Sequence, residues 1–274
     1  MFTLACGQAE PAATAIPDSE IAKTPEYQAA KAAERKIDGA AMLAQAKLLV
    51  ERFPTSPLAH KAMADAYYYM SFLDEAVASA QKAIELAPKD PIAWRNLGHI
   101  RTRQNKADEA EASYKNAVNA AQNDPTPWAD LGEFYSKRGN TPFALQCATR
   151  ASALLNSTPY NDHYGESPEA WAWRTVGFIF SGCKRPADGI THLKRSISLQ
   201  PDDAQTWLLL AMAYGQQNDR TNALSAIQQA LKLDPNFEDA KLALQSLTAP
   251  PPQPQQAQQP QSDLTIEQDR KSVV

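Results

Sequence analysis

Five stretches of the chain repeat one pattern of large and small residues with a period of 34, and this restricts the fold more than any other feature. Trp94, Leu97 and Gly98 recur 34 residues on as Trp128, Leu131 and Gly132, and more loosely as Trp173, Val176 and Gly177. One period before Trp94 stands His60, followed by Met63, Ala64 and Tyr67. One period after Trp173 stands Trp207, with Leu210, Ala211 and Tyr214. The second half of each stretch repeats as well. Small residues stand at Ala76, Ala110, Ala144, Gly189 and Ala223. Four residues later come Ala80, Tyr114, Ala148, Leu193 and Ile227, and then Ala83, Ala117, Ala151, Ser196 and Ala230. Pro88, Pro201 and Pro235 close three of the units.

The physical reading of one period is a pair of amphipathic helices joined by a short turn. Asn105, Gly139 and Asn218 fall at the turn, where a helix C-terminus favours glycine or asparagine. Pro142 and Pro186 fall near the start of the second helix, where a missing N–H costs little. The small residues let the two helices approach, and large ones such as Trp94, Trp128 and Tyr135 fill the space between layers. One pair cannot bury its apolar face alone, but stacked pairs can. A hydrophobic content of 43% supplies the core, and only ten glycines in 274 residues favour helix over sheet.

These residues resemble the tetratricopeptide-repeat family over residues 57–237, in units 57–90, 91–124, 125–158, 170–203 and 204–237. Gln122 replaces a usual proline, Arg101 a usual tyrosine, and Gly189 weakens one helix, all local departures. The resemblance implies an all-α fold, a right-handed superhelical solenoid of antiparallel helix pairs, here with about thirteen helices. Residues 1–22 read as a disordered leader or signal remnant, and 23–56 as a degenerate N-terminal repeat. Residues 57–248 hold the five units, a loop insertion at 159–169, and a capping helix at 238–247. Leu242, Leu244 and Leu247 are expected to cover the end of the stack. The proline- and glutamine-rich stretch 249–274 reads as a disordered tail.

Signs of catalysis are scarce in the sequence. It has no glycine pair spaced for a dinucleotide or kinase loop, no P-loop lysine, no HExxH and no GxSxG. The expectation is therefore a non-enzyme without cofactor or metal. Cys6, Cys147 and Cys183 form no CxxC pair, and the latter two read as small buried apolar residues. His60 stands where a packing tryptophan belongs, and His192 reads as a surface residue of a second helix. The net charge of −4 argues against a nucleic-acid binder. No apolar run approaches the roughly 18 residues needed to span a bilayer.

The resemblance places the functional surface on a concave groove lined by the first helix of each unit. Helical periodicity then names the residues turned away from the packing tryptophan. They are Lys61, Asp65 and Tyr68, then Arg95, Asn96, His99 and Arg103, then Asp130, Glu133 and Lys137. Trp171, Arg174 and Phe178 follow, and an apolar far end at Leu208, Leu209 and Met212. Lys61, Arg95, His99 and Arg103 read as a basic strip for a partner. Asp65 and Asp130 stand where chaperone-binding members of the family carry asparagine and arginine, so a chaperone's terminal carboxylate is rejected. The expected function is an adaptor holding a protein or peptide segment. The stretch Thr3-Leu4-Ala5-Cys6 resembles the end of a bacterial lipoprotein signal, in which the cysteine is acylated. Two settings stay open: a periplasmic protein lipid-anchored through Cys6, with its charged and apolar leader upstream of Met1, or a cytoplasmic adaptor.

Overall fold

The computed structural model describes residues 16–157 and 168–248. Among these it holds fourteen α-helices and no strand. A one-turn helix α1 (Asp18–Ile21) precedes six antiparallel pairs. These are α2 (Pro25–Arg35) with α3 (Gly39–Arg52), α4 (Pro57–Tyr69) with α5 (Leu73–Leu86), and α6 (Pro91–Arg103) with α7 (Ala107–Ala120). There follow α8 (Pro125–Lys137) with α9 (Thr141–Ser157), α10 (Pro168–Gly182) with α11 (Pro186–Leu199), and α12 (Ala204–Gln216) with α13 (Arg220–Leu233). The last helix, α14 (Glu238–Thr248), packs on α13.

Five of the first helices start in the same way. Thr24, Ser56, Asp90, Asp124 and Asp203 cap α2, α4, α6, α8 and α12, their side chains accepting a backbone N–H two or three residues on. Proline occupies the first turn of α2, α4, α6 and α8. The turn inside each pair places one residue in the left-handed region: Ile37, Ser71, Asn105, Gly139, Lys184 and Asn218, with φ between 56° and 71°. Within a pair the small positions do what the pattern predicts. Ala76, Ala110, Ala144, Gly189 and Ala223 are all buried. At Gly98 an added Cβ would lie 2.7 Å from the Tyr114 ring.

The packing tryptophans carry a second duty. Trp94, Trp128 and Trp207 are half-buried and donate their indole N–H to the carbonyls of Pro88, Gln122 and Pro201, six residues back. His60 takes the same post, its Nε2 lying 2.9 Å from Pro54 O. Trp173 differs: it is buried, and its Nε1 has no partner among the described residues.

Three expectations need correction. Residues 16–22, read as leader, dock onto the solenoid: Ile21 is buried with Tyr27, Leu49, Phe53 and Leu58, and Ser56 Oγ donates to Asp18 Oδ1 at 2.6 Å. In α14 Ala240 is fully buried and Leu244 packs on the core as expected, but Leu242 is 60% exposed and does not help to seal the end. His192 is buried, not a surface residue; it stacks on Trp173 and Phe180, shares a 2.7 Å bond with Ser152 Oγ, and donates from Nδ1 to Asp188 O. Burial pushes its pKa below the usual imidazole value. Cys147 and Cys183 are buried free thiols. Residues 1–15, 158–167 and 249–274 lie outside the described residues, and with them Cys6, most of the insertion and the tail.

Candidate functional site

The first helices α2, α4, α6, α8 and α10 share one cavity of about 1090 Å³, to which Leu199, Gln200 and Asp202 before α12 also contribute. Seven of the residues read from the sequence line it: Lys61, Asp65, Arg95, His99, Glu133, Lys137 and Trp171. Tyr68 and Asn96 line a smaller cavity of about 140 Å³ beside it. Arg103, Arg174, Leu208 and Met212 line neither. Leu208 is 5% exposed and belongs to the core with Leu193 and Ile227, so it is not groove surface. Met212 is 54% exposed beyond the cavity. The sequence reading missed the contribution of α2, whose Tyr27, Lys31 and Glu34 lie one turn apart on a single face. That spacing was the available signal.

The cations of the basic strip are tied between units. Lys61 is buried and paired with Asp90, the N-cap of the next first helix. Arg174 reaches Asp203 in the same way, Nη1 to Oδ2 at 2.7 Å. Arg95 pairs with Asp130, which is 1% exposed rather than a solvated groove carboxylate. His99 adds to this pair, its Nε2 lying 3.5 Å from Asp130 Oδ1 and its Nδ1 3.0 Å from the Tyr114 hydroxyl. Burial alone would raise the Asp130 carboxyl, but Arg95 and then His99 outweigh it and hold it below the usual range. Burial pushes the Tyr114 hydroxyl well up, so it stays protonated. Arg95 also lies 5.6 Å from the Trp171 ring centre. Arg103 donates to Tyr68 O at 2.6 Å and to Ser71 Oγ at 2.9 Å while stacking on the Tyr68 ring.

Asp65 behaves differently. Asn96 Nδ2 donates to it at 2.7 Å, and no ion pair engages it among the described residues. Desolvation, then the nearby Glu34, push its carboxyl up to about 7. No group of three or more histidine, cysteine or carboxylate side chains is placed to hold a metal among the described residues. Nor is any helix there long and apolar enough to cross a membrane.

Comparison with known proteins gives this geometry a family context. Tetratricopeptide-repeat models match residues 61–125 and 204–237. The chain carries tetratricopeptide repeats. Solved structures agree on the fold. Yeast Tom70 is 16% identical over 77% of this chain and 45% of its own, with a TM-score of 0.62. TTC0263, a thermophilic tetratricopeptide-repeat protein of Thermus thermophilus, is 17% identical over 70% of this chain and 98% of its own, with a TM-score of 0.55. Pseudomonas aeruginosa pilF is 16% identical over 70% of this chain and 88% of its own, with a TM-score of 0.51. This chain spans less than half of Tom70. A comparison with curated proteins gives no match. Tetratricopeptide repeats are generally non-catalytic interaction modules, and the fold supports a protein–protein interaction scaffold.

Proposed function

We propose that the protein is a scaffold that holds a segment of a partner protein in the cavity enclosed by α2, α4, α6, α8 and α10. The observation that carries this reading is the cavity itself. At about 1090 Å³ it exceeds the ~300–1,000 Å³ of small-molecule sites and runs across five successive first helices. A length of chain fits that shape better than a compact ligand. Its lining mixes aromatic and charged groups, among them Trp171 on α10 and Glu133 and Lys137 on α8. Because Lys61 and Arg95 are held by Asp90 and Asp130, the anchors are better sought at Trp171, Tyr69 and the α2 face than in a basic strip.

The setting we propose is the bacterial envelope, with Cys6 as the acylated residue. The support is the Thr3-Leu4-Ala5-Cys6 stretch. A photo-crosslinking side chain placed in the full-length protein at Lys137, on the groove, tests the binding reading against one at Arg150 on α9. Mass spectrometry should find one partner segment enriched at Lys137 and missing at Arg150. Equal labelling at both positions removes the groove as the binding surface. Incorporation of a labelled fatty acid that vanishes in Cys6→Ser tests the anchor separately, and its absence in the parent protein refutes that part.

A further inference from the structure

Helix α2 is the most lightly held wall of the groove. It buries only Tyr27, Ala30 and Ala33, and two of these are alanines with little apolar surface to lose. Its main packing is against α3; toward α4 it meets the first repeat along a narrow seam. The cavity of about 140 Å³ opens at this seam. Glu34 enters it from α2, Asp65, Tyr68 and Tyr69 from α4, and Asn96 and His99 from α6. Two carboxyl groups on opposing helices thus line one small cavity.

The charges around them do not cancel evenly. Glu34 is paired with Lys31 on its own helix. Lys61, on α4, is paired with Asp90. Asp65 keeps the neutral amide of Asn96 as its hydrogen-bond donor. Lys31 on α2, Lys61 on its own helix and His99 on α6 each favour its charged form, while burial and then Glu34 oppose it. Like charges confined together resist joint ionisation, and one proton retained between them removes the repulsion.

We propose that this seam is a pH-sensitive catch: α2 closes on the first repeat while Asp65, beside Glu34, keeps its proton, and loosens when Asp65 is charged. The consequence for the groove is direct, because α2 supplies one of its walls. The sign follows from the direction of the Asp65 shift. Its carboxyl titrates near 7 when the seam is closed, against an ordinary value of 3.8 when α2 is released. The stabilisation is therefore complete below the ordinary value and is lost as pH rises through about 7. Between about pH 6 and about pH 8, a carboxyl that titrates at 7 only in the closed state makes opening about tenfold easier.

Hydrogen exchange on the full chain reads this without any partner, so its outcome is independent of the scaffold reading. Protection of residues 25–35, corrected for intrinsic exchange chemistry and referred to α8, should fall about tenfold from about pH 6 to about pH 8. Asp65→Asn keeps the bond to Asn96 and cannot ionise, so its α2 protection should stay flat across the same range. Glu34→Gln, which removes the opposing charge without touching Asp65, should shrink the fall. Circular dichroism at both pH values checks that each variant is folded. Flat protection in the parent protein, or a parent-like fall in a folded Asp65→Asn, overturns the catch.

Discussion

The junctions between successive repeats are built in two ways. Those joining the first repeat to the second, the second to the third, and the fourth to the fifth are each crossed by an ion pair: Lys61–Asp90, Arg95–Asp130 and Arg174–Asp203. The junction between the third and fourth repeats, interrupted by the insertion, carries no ion pair among the described residues. It is instead part of the largest apolar cluster, where Leu131, Tyr135, Cys147 and Leu155 meet Trp173, Ile179, Phe180 and Cys183. At the fifth position of their repeats Lys61, Arg95 and Arg174 supply the cation; the third repeat has the buried Ala129 there. One backbone frame thus accepts two chemistries. The apolar junction depends on volume and contact, the ionic ones on leaving no charge alone.

The contrast can be broken most sharply at Trp173. Trp173→Ala removes a buried ring from the apolar junction and should cost about 3–5 kcal/mol in chemical denaturation. A parent-like midpoint would mean that this junction does not rely on packing. At an ionic junction the comparable lesion is Arg95→Ala, which orphans the buried Asp130. Its expected cost is about 3 kcal/mol, the lower end for breaking a buried pair, because Arg95 is itself partly exposed. The double variant Arg95→Met with Asp130→Leu should recover most of that loss. If it is no better than the single variant, the pair contributes more than mutual neutralisation.

Acid should separate the two kinds of junction as well. His192 is held below its usual pKa by burial beside Trp173, so its contribution is present above the ordinary value of 6.5 and is lost as pH falls below it. Exchange protection of α11 should therefore drop between about pH 7 and about pH 5, and less so in His192→Gln. An unchanged α11 in the parent protein would contradict the buried neutral imidazole. The smallest effect belongs to Arg174→Ala. Both partners of the Arg174–Asp203 pair keep contact with solvent, and the loss should stay under about 1 kcal/mol. A larger loss would place this junction with that of Arg95.

Most of the architecture was legible because the repeat fixes both helices and their contact faces. The five small positions from Ala76 to Ala223 are buried where the pattern put them. The groove was read less well. Periodicity says which way Lys61 or Arg95 leaves its own helix, but not what the next helix offers to it. Asp130 therefore passed for a groove residue, and Lys61, Arg95, His99 and Arg103 for a free strip. A signal was present in the numbering, since Lys61–Asp90 and Arg174–Asp203 both span 29 residues, from the fifth position of one repeat to the cap of the next first helix. Residues 16–22 escaped because a single Ile21 gives no period to detect, and His192 because a polar residue among apolar rings looks like surface in a linear pattern.

The left-handed turns lead somewhere further. Ile37, Ser71, Asn105 and Gly139 follow one another at intervals of 34 residues, as do Lys184 and Asn218. Five of the six are not glycine, and Ile37 is β-branched and largely exposed. The backbone keeps its metre through residues 23–56, where the side-chain rhyme has gone. The chain can accordingly be treated as a run of cassettes with standard ends. A segment cut from one left-handed turn to the next carries a second helix, a junction and a first helix, and enters or leaves the array without shifting its neighbours' register. Lengthening or shortening this protein is then an operation in whole cassettes, and the choice of cassette decides whether the new seam is ionic or apolar.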